Sequence, residues 1–270
     1  MLNYETHLCD HKAQWIVLLH GMGGSIRTWG KQVEYYRTQY HVLAIDLHGH
    51  GASRQENTPL TRTMEEVCGD IAQVMDACQV KKAHFASLSL GTMINVAFAG
   101  LYPQRVLSMV MGGGVLRFDA KTDFLLRTAQ RLQNCVPYMW LYRFFAHILL
   151  PRHNHSKSRN IFVREAVKLG HAEFCAWLNF LDDCRDLSPY IQTLRQLGTP
   201  IPALYIMGAE DYLFLPETSR LCGCLPQCEV HVIPHCGHVC NIERWGEFNK
   251  TSMEFFQTAD TNARRIHVVA

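Results

Sequence analysis

The sequence predicts an α/β protein in which a mostly parallel sheet is covered by helices on both faces. Three observations support this fold class. Short apolar runs alternate with segments of helical periodicity, several of these runs end in glycine-rich turns, and 48% of the 270 residues are hydrophobic. Alternating strands and helices build a parallel sheet because each crossover helix returns the chain to the same sheet edge. The length is sufficient for one large domain with an insertion.

The charge balance gives no reason to expect a nucleic-acid or anionic-membrane partner. With 26 basic and 24 acidic residues the formal net charge is +2, and phosphate-rich partners require a concentrated basic surface. No apolar stretch approaches the roughly eighteen residues of a membrane span, and residues 1–6 lack the basic and apolar segments of a secretory signal. We therefore expect a cytoplasmic protein, monomeric or homodimeric, whose eleven cysteines are reduced thiols.

The predicted strands follow one another along the chain with helices between them. An early antiparallel strand is expected at residues 2–8. The later strands are the apolar runs 15–19, 41–45, 83–86, 106–111, 203–207 and 230–233. A helix is predicted at 26–36, and another begins after Thr63, because Thr63 and Glu66 have the spacing of a capping box.

A long insertion separates the strand at 106–111 from the strand at 203–207. It is too long for a simple crossover, and much of it has apolar, helical periodicity with a polar break at 151–158. We expect a core of residues 1–114 and 200–270 and a helical cap of residues 115–199 above the strand ends. The candidates to line a substrate pocket under the cap are Met139, Trp140, Phe144 and Phe145. Helix-to-helix packing is the alternative for most of them.

A serine directly after the fourth predicted strand has the sequence context of an exposed nucleophile. Ser89 is the central residue of SLSLG, with Ser87 two positions before it and Gly91 two positions after it. Small residues at these positions are typical of a sharp strand-to-helix turn that presents one hydroxyl above the sheet. The usual pattern has glycine in place of Ser87, and an ordinary turn is the alternative for this pentapeptide alone.

The loop after the strand at 15–19 is rich in glycine and can direct backbone N–H groups toward a ligand. Its sequence is HGMGGS, residues 20–25. In acyl transfer such groups hold the oxyanion, and the expected donors are the N–H of Met22 and the N–H of Leu90. Gly21 is assigned to the substrate pocket. A phosphate-binding turn is the alternative, although no lysine follows as in a P-loop.

An acid and a histidine follow the last two predicted strands. Asp211 ends the sequence GAED and is the expected partner of the histidine, with Glu210 as its competitor. His238 is the expected general base, with His235 as its competitor. Asp211 and His238 both follow predicted strands, at the sheet edge where ligands bind in open α/β folds.

The glycine-rich sequence DLHGHGAS at residues 46–53 contains three residues that a metal or catalytic site could use. We favour a structural role in which Asp46 fixes the loop by hydrogen bonds. His48 and His50 remain candidates to reach the pocket.

A zinc site is the alternative for a cluster of sulfur and imidazole groups near the C-terminal part of the chain. Cys222, Cys224 and Cys228 precede His235 and His238 in the sequence, and zinc prefers such ligands. Their spacing fits no standard ligand pair, and a metal would deprive the serine of its base. We therefore expect no metal.

The motifs HGMG, DLHGHGAS, SLSLG, GAED and GH occur in the order found in the α/β-hydrolase superfamily, which the chain resembles. The resemblance implies a mostly parallel eight-stranded sheet with a cap between strands six and seven, as in small capped esterase-like enzymes. It also implies a Ser89–His238–Asp211 triad, an oxyanion hole formed by Met22 and Leu90, and no metal or organic cofactor.

The expected activity is hydrolysis of a carboxylic ester, thioester or lactone of a small, partly apolar substrate. Serine at position 89 argues against haloalkane dehalogenases, which use aspartate. Met93 stands where the menaquinone-pathway synthase of the superfamily has arginine, which argues against a strongly anionic substrate. A carbon–carbon hydrolase or lyase, an acyltransferase and a non-hydrolytic small-molecule receptor are the alternatives that the same residues permit.

Overall fold

A computed structural model of the protein describes residues 1–54, 62–223 and 227–269, and describes the side chains as far as residue 262. Within these ranges, seven strands form one sheet in the order β1-β3-β2-β4-β5-β6-β7. The strands are β1 (Tyr4–His7), β2 (Trp15–Leu19), β3 (His41–Ile45), β4 (Ala83–Leu88), β5 (Val106–Gly112), β6 (Ala203–Gly208) and β7 (Cys228–Ile233). Among them β1 alone runs antiparallel to its neighbour. The predicted fold class is confirmed, with seven described strands rather than eight.

Helices connect the strands as the alternating pattern predicts. They are α1 (Gly30–Tyr36), α2 (Met64–Ala77), α3 (Leu90–Leu101), α4 (Ala120–Leu132), α5 (Tyr138–Leu149), α6 (Ser156–Ala166), α7 (His171–Phe180), α8 (Ser188–Arg195), α9 (Leu215–Cys222), α10 (Cys240–Glu243) and α11 (Trp245–Val269). Helix α2 begins with the predicted capping box. The Thr63 hydroxyl accepts the N–H of Glu66 at 3.2 Å, and the Glu66 carboxylate accepts the N–H of Thr63 at 2.8 Å.

Two hydrophobic cores cover the two faces of the sheet. Along β2, Val17 and Leu19 belong to the core beneath α2 and α3, whereas Ile16 and Leu18 belong to the core beneath α1 and α11. Successive strand side chains point to opposite faces, so a strand covered on both sides must be apolar at every position. This requirement explains the continuous apolar runs of the sequence.

Helices α4 to α8, here called the inserted helices, lie between β5 and β6 in the chain. Four of them, α4 to α7, pack on one another and reach the carboxyl ends of the strands. The Tyr142 hydroxyl donates to the Met22 carbonyl at 2.9 Å, and the Trp177 indole donates to the His48 carbonyl at 3.0 Å. Helix α8 packs instead along α3. The division into a core of 1–114 and 200–270 and a cap of 115–199 stays a prediction.

The expectation that the cysteines are reduced fails at one pair. Cys222, at the end of α9, forms a disulfide with Cys228, at the start of β7, across Cα atoms 5.6 Å apart. The short connection between the two elements brings the thiols within bonding distance. Disulfides are typical of oxidising compartments, so the cytoplasmic location stays a prediction. Cys224, which belongs to the zinc alternative, lies outside the described residues.

Two properties of the described residues bear on the expected partners. In residues 1–54, 62–223 and 227–262, no group of three or more His, Cys, Asp or Glu side chains is placed to hold a metal ion. In the same part of the chain, no helix is both long enough and apolar enough to cross a membrane.

Candidate active site

Ser89 lies at the tight turn between β4 and α3, in a backbone conformation that L-amino acids rarely adopt. Its φ is 51° and its ψ is −118°, and its N–H donates to the Gly112 carbonyl at 3.0 Å. Such a conformation costs about 1–3 kcal/mol and persists only where the surroundings impose it. The neighbouring Gly91 is required because a Cβ there would lie 2.6 Å from the Leu19 carbonyl oxygen. The turn thus holds the Ser89 hydroxyl above the sheet.

Ser87, which replaces the usual glycine of this turn, fits because its hydroxyl is bonded within the core. The side chain is fully buried, donates to the Val110 carbonyl at 3.3 Å and accepts from the Asn95 amide at 3.0 Å. Burial without such partners would be unfavourable for a hydroxyl. The departure from the usual pattern is therefore compatible with the turn.

The structure brings Ser89, His238 and Asp211 together. The Ser89 Oγ lies 2.8 Å from His238 Nε2, and His238 Nδ1 lies 2.8 Å from Asp211 Oδ2. The side chains of His238 and Asp211 are fully buried, and the ring of Phe214 packs on the imidazole with centroids 5.2 Å apart. A carboxylate accepts but does not donate, so Nδ1 carries the proton and Nε2 is free to accept the serine proton.

The two competing residues lie outside this arrangement. His235 is largely exposed, with its Nδ1 3.7 Å from Glu210. Glu210 accepts hydrogen bonds from Arg152 and His155 instead of contacting His238. Asp211 contacts His238 through Oδ2, and its Oδ1 accepts the Phe214 N–H at 3.2 Å.

The loop that carries Met22 passes directly against Ser89. A Cβ at Gly21 would lie 3.1 Å from the Ser89 Cβ. The peptide unit between Met22 and Gly23 is fixed at both ends, since the Tyr142 hydroxyl donates to the Met22 carbonyl and the Gly23 N–H donates to His50 Nε2 at 2.9 Å. Burial raises the pKa of Tyr142 well above its usual value, so Tyr142 remains a donor.

Two buried histidines support this loop in their neutral forms. His50 Nε2 accepts from Gly23, so its Nδ1 donates to the His48 carbonyl at 2.9 Å. His20 Nε2 accepts from the Leu47 N–H at 3.0 Å, so its Nδ1 donates to the Gly21 carbonyl at 2.8 Å. Burial lowers the pKa of His20, and burial followed by the neighbouring His20 lowers the pKa of His50 well below 6.5. Neither histidine was predicted to have this role.

Asp46 fixes the glycine-rich loop as the sequence predicts. Its Oδ1 accepts from the Ile26 N–H at 2.8 Å, and its Oδ2 accepts from the Ala52 N–H and the Asn3 amide at 2.9 Å. His48 pairs with Asp70 at 2.5 Å and does not line the cavity described next. Asp46, His48 and His50 are each bonded within the protein, and none of them lines that cavity.

An apolar cavity of about 130 Å³ opens at Ser89 beneath the inserted helices. Its walls include Met22 and Leu90, the two residues predicted to supply N–H groups. The other walls are Met93, Val115, Phe118, Thr122, Leu125, Leu126, Tyr142, Phe145, Leu149, Phe162, Phe174, Leu178, Leu181, Leu213 and Phe214. Among the described residues that form the walls, none carries a charged side chain.

The pocket prediction for α5 requires a correction. Trp140 and Phe144 are 66% and 58% exposed, and neither they nor Met139 line the cavity, whereas Phe145 does. Helix α5 is apolar around most of its circumference, so the sequence pattern does not determine which face is buried. Gly21 packs against Ser89 rather than lining the cavity.

The fold and these contacts are those of an α/β-hydrolase. Residues 16–251 match the sequence model of the alpha/beta hydrolase family, and the chain belongs to that family of enzymes. The glycine turns, the serine turn and the acid and histidine loops described above all lie within the matched residues.

Individual relatives are diverse in their activities. One relative is the dihydrolipoyllysine-residue acetyltransferase component of the acetoin cleaving system from Pseudomonas putida, which is 26% identical over 265 residues. The match covers 90% of this chain but only 63% of that protein. The 2-hydroxy-6-oxononadienedioate/2-hydroxy-6-oxononatrienedioate hydrolase from Paraburkholderia phymatum is 27% identical over 260 residues, covering 89% of this chain and 86% of that one. The enol-lactonase from Burkholderia xenovorans LB400 shares the fold, with a TM-score of 0.78, 22% identity and coverage of 95% and 96% of the two chains.

Proposed function

We propose that the protein is a serine hydrolase that cleaves a carboxylic ester, or a thioester or lactone, of a small and partly apolar substrate. One observation carries the proposal. The Ser89 hydroxyl is 2.8 Å from an imidazole nitrogen whose partner nitrogen is bonded to buried Asp211, and it opens into an apolar cavity. This is the arrangement that activates a serine for attack on a carbonyl carbon.

In the first half of the reaction, His238 Nε2 takes the Ser89 proton while Oγ bonds to the substrate carbonyl carbon. The carbonyl oxygen becomes an oxyanion, and Asp211 stabilises the imidazolium that forms. When the tetrahedral intermediate collapses, the bond to the leaving oxygen breaks and His238 returns the proton to it. The alcohol departs, and the acyl group remains on Ser89.

In the second half, water replaces the alcohol. His238 removes a proton from water as the hydroxyl oxygen attacks the acyl carbon, and the bond to Ser89 Oγ then breaks. Oγ recovers the proton from His238, and the carboxylic acid departs. The enzyme returns to its initial state without any further group.

The oxyanion is assigned to the N–H of Met22 and the N–H of Leu90. Leu90 is the first residue of α3, so its N–H has no acceptor within the helix and adds the favourable potential of a helix N-terminus. The Met22 loop is held against Ser89 by the contacts of His50 and Tyr142. Donors fixed before the reaction stabilise the transition state without a reorganisation cost.

The cavity favours an uncharged acyl chain. The hydroxyls of Thr122 and Tyr142 in its wall are already bonded to the Asp119 and Met22 carbonyls. A substrate carboxylate would lose its hydration there without gaining a cation. We therefore expect the substrate of this protein to differ in charge from the dioates in the name of the Paraburkholderia phymatum relative. Simple apolar acyl esters should be better substrates than dicarboxylate monoesters.

The test is release of p-nitrophenol from acetate, butyrate and octanoate esters by the wild type and by Ser89→Ala. We expect turnover by the wild type, an initial burst where deacylation is slow, and loss of several orders of magnitude in Ser89→Ala. A fluorophosphonate should label the wild type at Ser89 only.

Ser87→Gly is the matched control, since Ser87 lies in the same turn but bonds to the core. It restores the usual glycine and should retain turnover. If the wild type released no p-nitrophenol and Ser89 were not labelled, the proposed hydrolysis would be wrong. Labelling without any hydrolysis would also contradict it and would favour an acyltransferase or a receptor.

A further inference from the structure

The segment between α5 and α6, residues 150–155, here called the connecting segment, contacts the loop that carries Asp211. Glu210 lies one residue before Asp211, and its side chain is only 6% exposed. It accepts hydrogen bonds from Arg152 Nη1 at 2.7 Å, from Asn154 Nδ2 at 3.2 Å and from His155 Nε2 at 2.7 Å. Three residues of the connecting segment thus bind one carboxylate beside the catalytic acid.

The same segment also contacts the loop that carries His238. Glu243 Oε2 accepts the Gly237 N–H at 3.1 Å, and His155 Nε2 lies 3.6 Å from the same oxygen. Gly237 itself packs on the connecting segment, because a Cβ there would lie 2.8 Å from Leu150 Cδ2 and 3.1 Å from His155 Cε1. His155 therefore touches the residue immediately before the catalytic base.

His155 is bonded at both ring nitrogens and is fully buried. The backbone N–H of Arg152 donates to His155 Nδ1 at 3.3 Å. His155 Nε2 therefore carries the proton that is donated to Glu210. Arg152 also stacks on Tyr212, with the guanidinium carbon 5.7 Å from the ring centroid. Tyr212 directly follows Asp211, so the connecting segment holds the acid loop from both sides of the acid.

The acid and base loops are also joined to each other. The Glu210 N–H donates to the Cys236 carbonyl at 2.8 Å, and the Ala209 N–H donates to the Ile233 carbonyl at 2.9 Å. A displacement of the connecting segment would therefore move both loops together and change the His238–Ser89 distance.

We propose that His155 is a positioning residue that, with Arg152 and Asn154, couples the inserted helices to the acid and base of the triad. The inference rests on the proposed function, because it assigns Asp211 and His238 to catalysis. His155 does not touch the reacting atoms. It acts by fixing the loops that hold them.

The test compares His155→Ala and His155→Gln with the wild type on the p-nitrophenyl esters, with active sites counted by fluorophosphonate. A misplacement of catalytic groups by about 1 Å lowers turnover by up to about 100-fold, so we expect kcat per active site to fall about 10-fold to 100-fold in His155→Ala. KM should change little, because the cavity walls do not include His155. His155→Gln keeps an N–H donor for Glu210 and should recover most of the kcat.

His153→Gln is the matched control, since His153 is exposed in the same segment. It should match the wild type. If His155→Ala does not fold, Arg152→Ala tests the attachment of the connecting segment to Glu210 through another residue. The Arg152 side chain is 54% exposed, so its removal leaves no cavity. We expect kcat to fall in this variant also.

The results that overturn the inference differ from those that overturn the proposed function. Wild-type kcat per active site in His155→Ala, or a lower melting temperature with unchanged kcat per active site, would show a structural role only. A kcat loss that His155→Gln does not recover would also overturn it. No turnover by the wild type would remove the proposed function and this inference together.

Discussion

Acidification should destabilise this protein through the two histidines that support the Met22 loop, and His50→Gln should reduce that effect. His50 is buried and neutral, and burial lowers its pKa well below 6.5. At a pH above about 6.5, neither the folded nor the unfolded chain binds a proton at His50. At a lower pH the unfolded chain binds a proton at His50 and the folded chain does not, so acidification favours unfolding.

The magnitude follows from this difference in bound protons. A histidine that stays neutral in the folded chain costs on the order of 1 kcal/mol of stability between about pH 7.5 and about pH 5.5. His20, whose pKa burial also lowers, acts in the same direction. The buried Glu243 opposes them, because burial raises its pKa and a raised carboxyl pKa favours folding as the pH falls. Comparing variants cancels the contribution of Glu243.

The assay is urea unfolding at these two pH values for the wild type, His50→Gln and the exposed control His153→Gln. Gln keeps an acceptor for the Gly23 N–H but does not titrate. The stability lost on acidification should be smaller in His50→Gln than in the wild type by on the order of 1 kcal/mol, and unchanged in His153→Gln. Equal losses in all three proteins would refute the assignment of His50 as a buried neutral acceptor.

Three further predictions concern the triad, the serine turn and the cavity. Asp211→Asn should lower kcat by about 10⁴-fold with little change in melting temperature, because the amide favours the wrong tautomer of the histidine; wild-type kcat in steady-state assays would contradict this role. Gly91→Ala should destabilise the fold by about 1–3 kcal/mol in urea unfolding, because its Cβ would meet two backbone carbonyls. The control Gly69→Ala, where a Cβ on α2 meets open space, should stabilise the fold by about 0.5–1 kcal/mol. Equal effects of the two substitutions would be inconsistent with the close turn. Phe145→Trp should lower kcat/KM for octanoate about tenfold relative to acetate, and the exposed Phe144→Trp should leave that ratio unchanged; the reverse result would mean that α5 presents its other face.

Most of the fold was predictable because a parallel sheet buried on both faces must be apolar along every strand. The runs at β2, β4 and β6 are continuous for this reason, and turns follow them. The expected positions of Ser89, Asp211 and His238 came from motifs at the ends of such strands. Their contacts in the structure agree with that expectation, and their catalytic roles stay a proposal.

The features that the sequence did not predict depend on contacts between distant segments. Helix α5 is apolar on most sides, so only its packing on α6 and α7 shows that Phe145 alone of the four pocket candidates faces the cavity, together with Tyr142. His50 acquires its role by meeting Gly23 across the sheet edge. His155 meets Glu210 from 55 positions away. None of these pairs has a local pattern that sets it apart from surface histidines or packing residues.

Tyr142 connects the size of the bound acyl chain to the position of the Met22 loop. Its ring forms part of the cavity wall while its hydroxyl holds the Met22 carbonyl. An acyl chain too large for the cavity would displace the ring and release the Met22 carbonyl, which belongs to the residue whose N–H we propose as an oxyanion donor. Poorly fitting substrates would then bind almost as well as good ones and react slowly. Selection by size would therefore be seen in kcat rather than in KM.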